Sequence, residues 1–226
     1  GLAAFHHDAV RELGAERATA LYRLTEEARE RELSSGVGAR RTGSLRVAHD
    51  AAELADCEEQ YKRMTADGLP VERYRGSEGE GLLFPLDAVF DPLARCRELA
   101  RRAVADGAEL YEGSPVTAIE PGRVVTASGA VSCAAVVVAV DGRLEQLLPE
   151  LAGEVRTARL QMLATAPTDE LELPRPVYLR YGYEYYQRTA EGRVALGGFR
   201  DLAGEGEWTH DATPQPGFLQ NPEDLP

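Results

Sequence analysis

The sequence predicts a mixed fold: α/β with a parallel sheet in its middle, and α+β with an antiparallel sheet toward its end. Three observations predict it. A capped helix at residues 92–106 is followed by the apolar run 134–140, which lacks alternation, as a strand covered on both faces does. Two alternating segments, 177–188 and 194–199, meet at a tight Glu191-Gly192 turn, the pattern of an antiparallel pair. Helical periodicity fills much of the first seventy or so residues.

The elements follow in order. Residues 3–33 read as helix interrupted near Gly14, with Ala18, Leu21, Tyr22, Leu24 and Ala28 at roughly helical spacing. Residues 42–48 read as a short strand. Asp50 is placed to cap a helix over 51–67, which Gly68 closes ahead of Pro70. Residues 75–81, RGSEGEG, read as a polar loop. Leu82 to Pro85 is extended, and Asp91-Pro92 opens the next helix with a cap and a proline at its first position. Strands are expected at 109–111 and 115–119, then a hairpin from 123–127 through Ser128-Gly129 to Val131, then the buried strand 134–140. Further strands are expected at 156–166, 177–188 and 194–199. After Asp201 periodicity ends.

The 226 residues suffice for one large domain or two small ones, and a 43% hydrophobic share permits a real core. A net charge of −13 argues against nucleic acid and against an anionic membrane surface as partners. No apolar run approaches the ~20 residues that a membrane span needs. Cys57, Cys96 and Cys133 are far apart, with no C-x-x-C, so neither a disulfide framework nor a zinc site is expected, and a reducing, cytoplasmic setting fits. Adjacent His6 and His7 would point in different directions on a helix, so no metal site is expected there.

Four stretches together resemble a known family. They are Gly81 to Pro85 running into Phe90-Asp91-Pro92; Asp106 to Tyr111 followed by Ser114 to Ile119; Ala134 to Asp141 followed by Leu147 to Leu151; and Arg159 to Thr165 followed by Tyr185-Tyr186-Gln187 and Glu191 to Gly198. In order and spacing they resemble the D-amino-acid oxidase-like superfamily of FAD-dependent oxidoreductases, in the branch of glycine oxidase and gamma-glutamylputrescine oxidase, from about Ala18 to Asp201.

The resemblance implies a doubly wound FAD-binding sheet, partial here at 81–149, interleaved with an antiparallel-sheet substrate domain whose segments are 1–80 and 150–226. It implies FAD as cofactor and a small amine or amino acid as substrate, oxidised at its C–N bond by hydride transfer to the flavin. Val116 matches a position whose backbone meets the adenine. Ala139, Val140, Asp141 and Gly142 match the end of the last FAD-domain strand, where ligands of such sheets gather; Asp141 would be unfavourable beside a phosphate and reads equally as a turn cap. Tyr181, Tyr183, Tyr185 and Gln187 alternate on one strand that lines the substrate pocket in relatives, and they read equally as a packed aromatic sheet face. Arg200 is placed to hold a carboxylate or, alternatively, to pair with Asp201 at the surface.

The family's opening G-x-G-x-x-G does not occur in these residues. Gly36-Val37-Gly38 lacks the third glycine, and Gly76, Gly79 and Gly81 lie in an acidic stretch. The start at Gly1-Leu2-Ala3 reads as lying inside a helix, and the flavin-contacting segment with which the family ends has no counterpart here. The expectation is therefore an incomplete chain, inactive alone, whose FAD site is completed by missing segments or a partner chain. The alternative is a non-catalytic module, derived from that fold, that binds a small molecule or a partner.

Overall fold

The structure is a computed structural model that describes residues 4–202 and 204–214. The sequence readings of residues 1–3 and of the tail beyond 214 lie outside them. The fold is mixed α/β, with a seven-stranded mixed sheet, a three-stranded antiparallel sheet and a two-stranded pair. It comprises two units: Gly1–Arg101 with Met162–Phe199, and Arg102–Gln161 with Arg200–Pro226.

The first unit opens with α1 (His6–Leu13) and α2 (Ala15–Ser34). They break at Gly14, whose φ of 81° costs a glycine nothing. Helix α3 (Ala51–Ala66) begins where the sequence places it. Asp50 accepts the Glu53 N–H at 2.8 Å, and the Glu53 carboxylate accepts the His49 N–H at 2.9 Å, so two otherwise orphaned donors at the helix start are satisfied. The helix closes at Gly68, with the Leu69 N–H donating back to the Met64 carbonyl at 2.9 Å. Leu69 and Met64 share a buried cluster with Tyr22 of α2, the apolar contact that accompanies this type of helix end.

The strands before residue 90 are β1 (Arg40–Arg41), β2 (Ser44–Val47), β3 (Glu72–Gly76), β4 (Gly79–Phe84) and β5 (Ala88–Val89). Then come α4 (Pro92–Ala105), β6 (Val116–Glu120), β7 (Arg123–Thr126), β8 (Gly129–Ser132), α5 (Leu144–Leu147), β9 (Met162–Ala164), β10 (Val177–Leu179), β11 (Glu184–Arg188) and β12 (Val194–Gly198). The large sheet runs β3-β4-β2-β10-β11-β12-β9, and within it only β2 and β10 pair in parallel.

Register sorts this sheet into two faces, because directly opposed residues point the same way. One row is Arg73, Leu82, Arg46, Tyr178, Tyr185, Gly197 and Met162. On this face Leu82 packs against Phe5, just ahead of α1, and Cys57 of α3. The other face carries Leu45, Val47 and Val177, packed with Tyr74, Leu83, Leu179 and Tyr186. Every buried hydrophobic side chain among the described residues belongs to this first unit.

The second unit holds the antiparallel meander β6-β7-β8. Among its described residues only Glu207 is buried. Arg159 donates to both carboxylate oxygens of Glu207, at 3.0 and 3.1 Å, and Gln161 Nε2 adds a third bond at 2.9 Å.

Several expected elements differ. Residues 75–81 are not a loop, because β3 and β4 form a hairpin whose turn is Ser77-Glu78. Residues 109–111 and 134–140 form no strand: nothing among the described residues pairs with their backbones, and a ladder needs a partner for its N–H and C=O groups. Val137 is 90% exposed instead of covered on both faces. The strand expected at 156–166 is confined to Met162–Ala164. The strand expected at 177–188 is two strands, separated by a 3-10 turn in which Arg180 and Tyr181 both take left-handed backbone angles. Tyr181 and Tyr183 therefore do not share a strand with Tyr185 and Gln187. The helix at 92–106 forms as α4, capped by Asp91 with the Ala94 N–H at 2.9 Å, but none of its side chains is buried.

Candidate functional site in the first unit

Strand β2 reads Ser-Leu-Arg-Val. Leu45 and Val47 enter the apolar face, so Arg46 must emerge on the opposite face, among the helices. Its guanidinium lies 4.2 Å from the centre of the Phe5 ring and donates to Gln60 Oε1 at 2.9 Å. Gln60 comes from the buried side of α3. Burial disfavours the cation and lowers the Arg46 pKa, although the nearby Glu53 and Asp87 charges oppose the shift. An arginine held this way is desolvated and oriented.

Arg46 borders a cavity of about 350 Å³, in the range of small-molecule sites. Ser44 and Asp87 form part of its wall, and the Ser44 hydroxyl donates to Asp87 Oδ2 at 2.7 Å. His6 and Tyr22 form another part, with their rings edge-to-face at 5.9 Å. Burial pushes the Tyr22 phenol up to about 12, so it stands there as a neutral donor. Tyr178, Tyr181 and Gly182 complete the rim beside β10.

His6 is 1% exposed. Its Nε2 lies 2.8 Å from Asp67 Oδ2, and Asp67 also receives Arg63. The Arg63 hydrogen bond, and then the His6 bond, hold the Asp67 carboxyl below its usual range, so Asp67 is an acceptor and His6 Nε2 is the donor. Among the described residues, nothing hydrogen-bonds the buried His6 Nδ1. Such an atom costs stability unless something meets it.

The residues singled out in the sequence are divided between the units. Tyr181 lines the cavity; its N–H donates to Glu53 Oε1 at 2.6 Å and its hydroxyl to Asp56 at 3.0 Å. Tyr185 lies next to the cavity, its ring 6.2 Å from that of Tyr178 and stacked over Gly197, where even a Cβ would lie 2.6 Å from the ring. Gln187 is two residues further along the same face of β11, outside the cavity lining. Arg200 is in the second unit, 5.3 Å from the Trp208 ring centre, with Arg156 at 4.5 Å from the same ring. Val116 begins β6 at the edge of the meander. Ala139 and Val140 lie in irregular chain, and Asp141 follows with a left-handed φ of 57°. A Cβ on Gly142 would meet the Thr157 methyl at 3.3 Å.

Sequence reasoning missed Arg46, Gln60, Ser44 and Asp87, and it weighed His6 only as a metal ligand. The available signal was an arginine between two apolar residues in a short strand. Among the described residues, no group of three or more His, Cys, Asp or Glu side chains is placed to hold a metal ion.

The family described as "DAO: FAD dependent oxidoreductase" matches residues 2–221. The chain belongs to this family. Direct comparison with curated proteins finds no match. Among solved structures, the DAO-family chain is similar to L-proline dehydrogenase from P. horikoshii, at a TM-score of 0.65 and 19% identity over 91% of this chain and 58% of that one. It is similar to glycine oxidase from Bacillus cereus ATCC 14579, at a TM-score of 0.66 and 18% identity over 91% and 60%. It is also similar to iminodiacetate oxidase from Chelativorans sp. BNC1, at a TM-score of 0.61 and 17% identity over 88% and 58%. These likenesses show the fold. The chain spans about three-fifths of the length of each of those structures.

The family implies FAD, and the residues present do not by themselves fit it. No G-x-G-x-x-G occurs in the 226 residues. At the 139–142 turn, the space above Gly142 is filled by Thr157, and the acidic Asp141 would repel a phosphate brought to it. No catalytic step through the flavin is derived from these residues.

Proposed function

We propose that this chain is the substrate-holding part of an FAD-dependent oxidoreductase that oxidises the C–N bond of a small amine or amino acid by hydride transfer to the flavin. The observation that carries this reading is the Arg46 cavity, next to Tyr178 and Tyr185 on a sheet of the family's fold. In this reading, residues 81–149 contribute to the cofactor-binding part and residues 1–80 and 150–226 to the substrate part. Val116 and residues 139–142 then meet FAD only once polypeptide outside these 226 residues, from the same protein or a partner chain, supplies the glycine loop. The apolar side chains of the second unit support such a completion: Leu110, Val131, Val137 and Val140 are all exposed. Tyr181, Tyr185, Gln187 and Arg200 are proposed on the substrate side, and we place the protein in the cytoplasm. No helix among the described residues is long and apolar enough to cross a membrane.

The test is a visible absorption spectrum of the purified chain with added FAD, alone and with a family-type G-x-G-x-x-G segment supplied in trans. A bound-flavin band that needs the added segment is expected. A folded chain that takes up no flavin in either mixture contradicts this reading and favours the alternative, a non-catalytic module that uses the same cavity to bind a small molecule.

A further inference from the structure

Helix α2 packs with one face only. Ala18 and Tyr22 are buried, and Tyr22 joins the cluster of Met64 and Leu69. On the opposite side Arg17, Leu21 and Leu24 recur at the spacing of a single helix face, and all three are exposed, Leu24 to 54%. With Glu27, and with Leu13 at the end of α1, they line one open groove. The charges of this face are unspent. Neither Arg17 nor Glu27 makes an ion pair among the described residues, whereas the adjacent Arg23 is held by Glu26 and the Gly68 carbonyl, and Glu30 by Arg29 and Arg41.

From this arrangement we infer that the face docks a second copy of the chain, with α2 lying antiparallel on α2 about a two-fold axis between Leu21 and Leu24. A two-fold contact is self-complementary: if residue i meets residue j, then j meets i. At a rise of about 1.5 Å per residue, Arg17 lies about 8 Å along the helix from the midpoint of Leu21 and Leu24, and Glu27 lies about 7 Å from it on the other side. Reversing one helix therefore brings Arg17 of each copy to within about 1.5 Å, along the axis, of the level of Glu27 of the other. The same reversal sets Leu21 of one copy on Leu24 of the other, which removes both from water. A copy of this chain thus brings the matching leucines, cation and anion in the matching order. The two ion pairs so formed oppose the mutual repulsion of two molecules that each carry a net charge of −13. The pairing is independent of flavin and of the reaction proposed above.

The test is sedimentation equilibrium of the full chain at about 0.15 M salt, where repulsion between the net charges is screened beyond roughly 8 Å. The mass is expected to rise with concentration from 24.6 kDa toward twice that value. Leu24→Glu should hold the chain at the lower mass. Arg17→Glu or Glu27→Arg alone should weaken association by about tenfold or more, because each converts two attractive pairs into two repulsive ones. The double variant Arg17→Glu with Glu27→Arg should restore it. An equimolar mixture of the two single variants should also associate, since each then supplies the charge that the other lacks. Circular dichroism checks that every variant keeps its helix content.

A chain that stays monomeric up to about 1 mM overturns the inference and leaves the groove to a different protein or to another segment of polypeptide. A dimer that a folded Leu24→Glu variant does not weaken overturns it too, and moves the contact elsewhere, first to the exposed valines of the second unit. A dimer weakened by the single charge variants, yet restored neither by the double variant nor by the mixture, overturns the antiparallel pairing of Arg17 with Glu27.

Discussion

The two units are written in similar letters and packed in opposite ways. Leu45, Val47, Leu82 and Val177 in the first unit are buried to within a few per cent, whereas Val131, Val137 and Val140 in the second are exposed. Fully burying such a side chain contributes about 1.5–3 kcal/mol relative to leaving it in water, so the first unit has a larger apolar drive to fold than the described residues of the second. The second unit is organised by polar contacts: Arg159 and Gln161 on Glu207, and Trp208 between Arg156 and Arg200. An apolar strand sequence therefore states a requirement for cover, and whether the cover is present is a separate fact about the molecule.

The sharpest break of the comparison is a core truncation. Leu45→Ala should destabilise the first unit by roughly 2–5 kcal/mol, the usual cost of deleting a fully buried leucine, as measured by urea unfolding. Asp50→Ala removes the α3 cap and should cost about 1 kcal/mol by the same measurement. Val137→Ser in the second unit should change stability by no more than about 0.5 kcal/mol, because nothing packs on that side chain.

The comparison also extends to pH. The folded Asp67 carboxyl titrates below its unfolded value of about 3.9, chiefly through Arg63 and then His6. A depressed acid stabilises the fold above the unfolded pKa, and that contribution is lost as pH falls through the folded one. Acid unfolding of the first unit should therefore flatten below pH 4 in Asp67→Asn, as followed by circular dichroism. An unchanged acid limb would remove Asp67 from the forces that hold α1 to α3.

Much of the first unit was legible because its signals are local. Gly14, Asp50, Gly68 and Asp91-Pro92 each act on a few neighbouring residues, and each sits where the sequence puts it. The β7–β8 hairpin was legible for the same reason, although its turn is Ala127-Ser128 and Gly129 already opens β8. The missed elements depend on distant chain. Residues 75–81 look like loop because glycine and glutamate dominate, yet β2 supplies the edge on which β4 pairs. Residues 134–140 look like a strand, yet no neighbour among the described residues supplies an edge. The break at Arg180 and Tyr181 is imposed by α3, whose Glu53 takes the Tyr181 N–H. The cavity was hidden because Arg46, His6 and Asp87 come from separate stretches, and only the parallel β2–β10 pairing sets Arg46 beside Tyr178.

The most direct test of the contrast between the units is hydrogen exchange of the intact chain, read by mass spectrometry on peptides from each unit. Amides of β2, β4 and α3 are expected to exchange orders of magnitude more slowly than those of β6–β8 and residues 134–140, because local stability follows buried apolar contact. Equal, slow exchange in both units would contradict the account, since it would mean that the second unit has a core that its exposed valines deny.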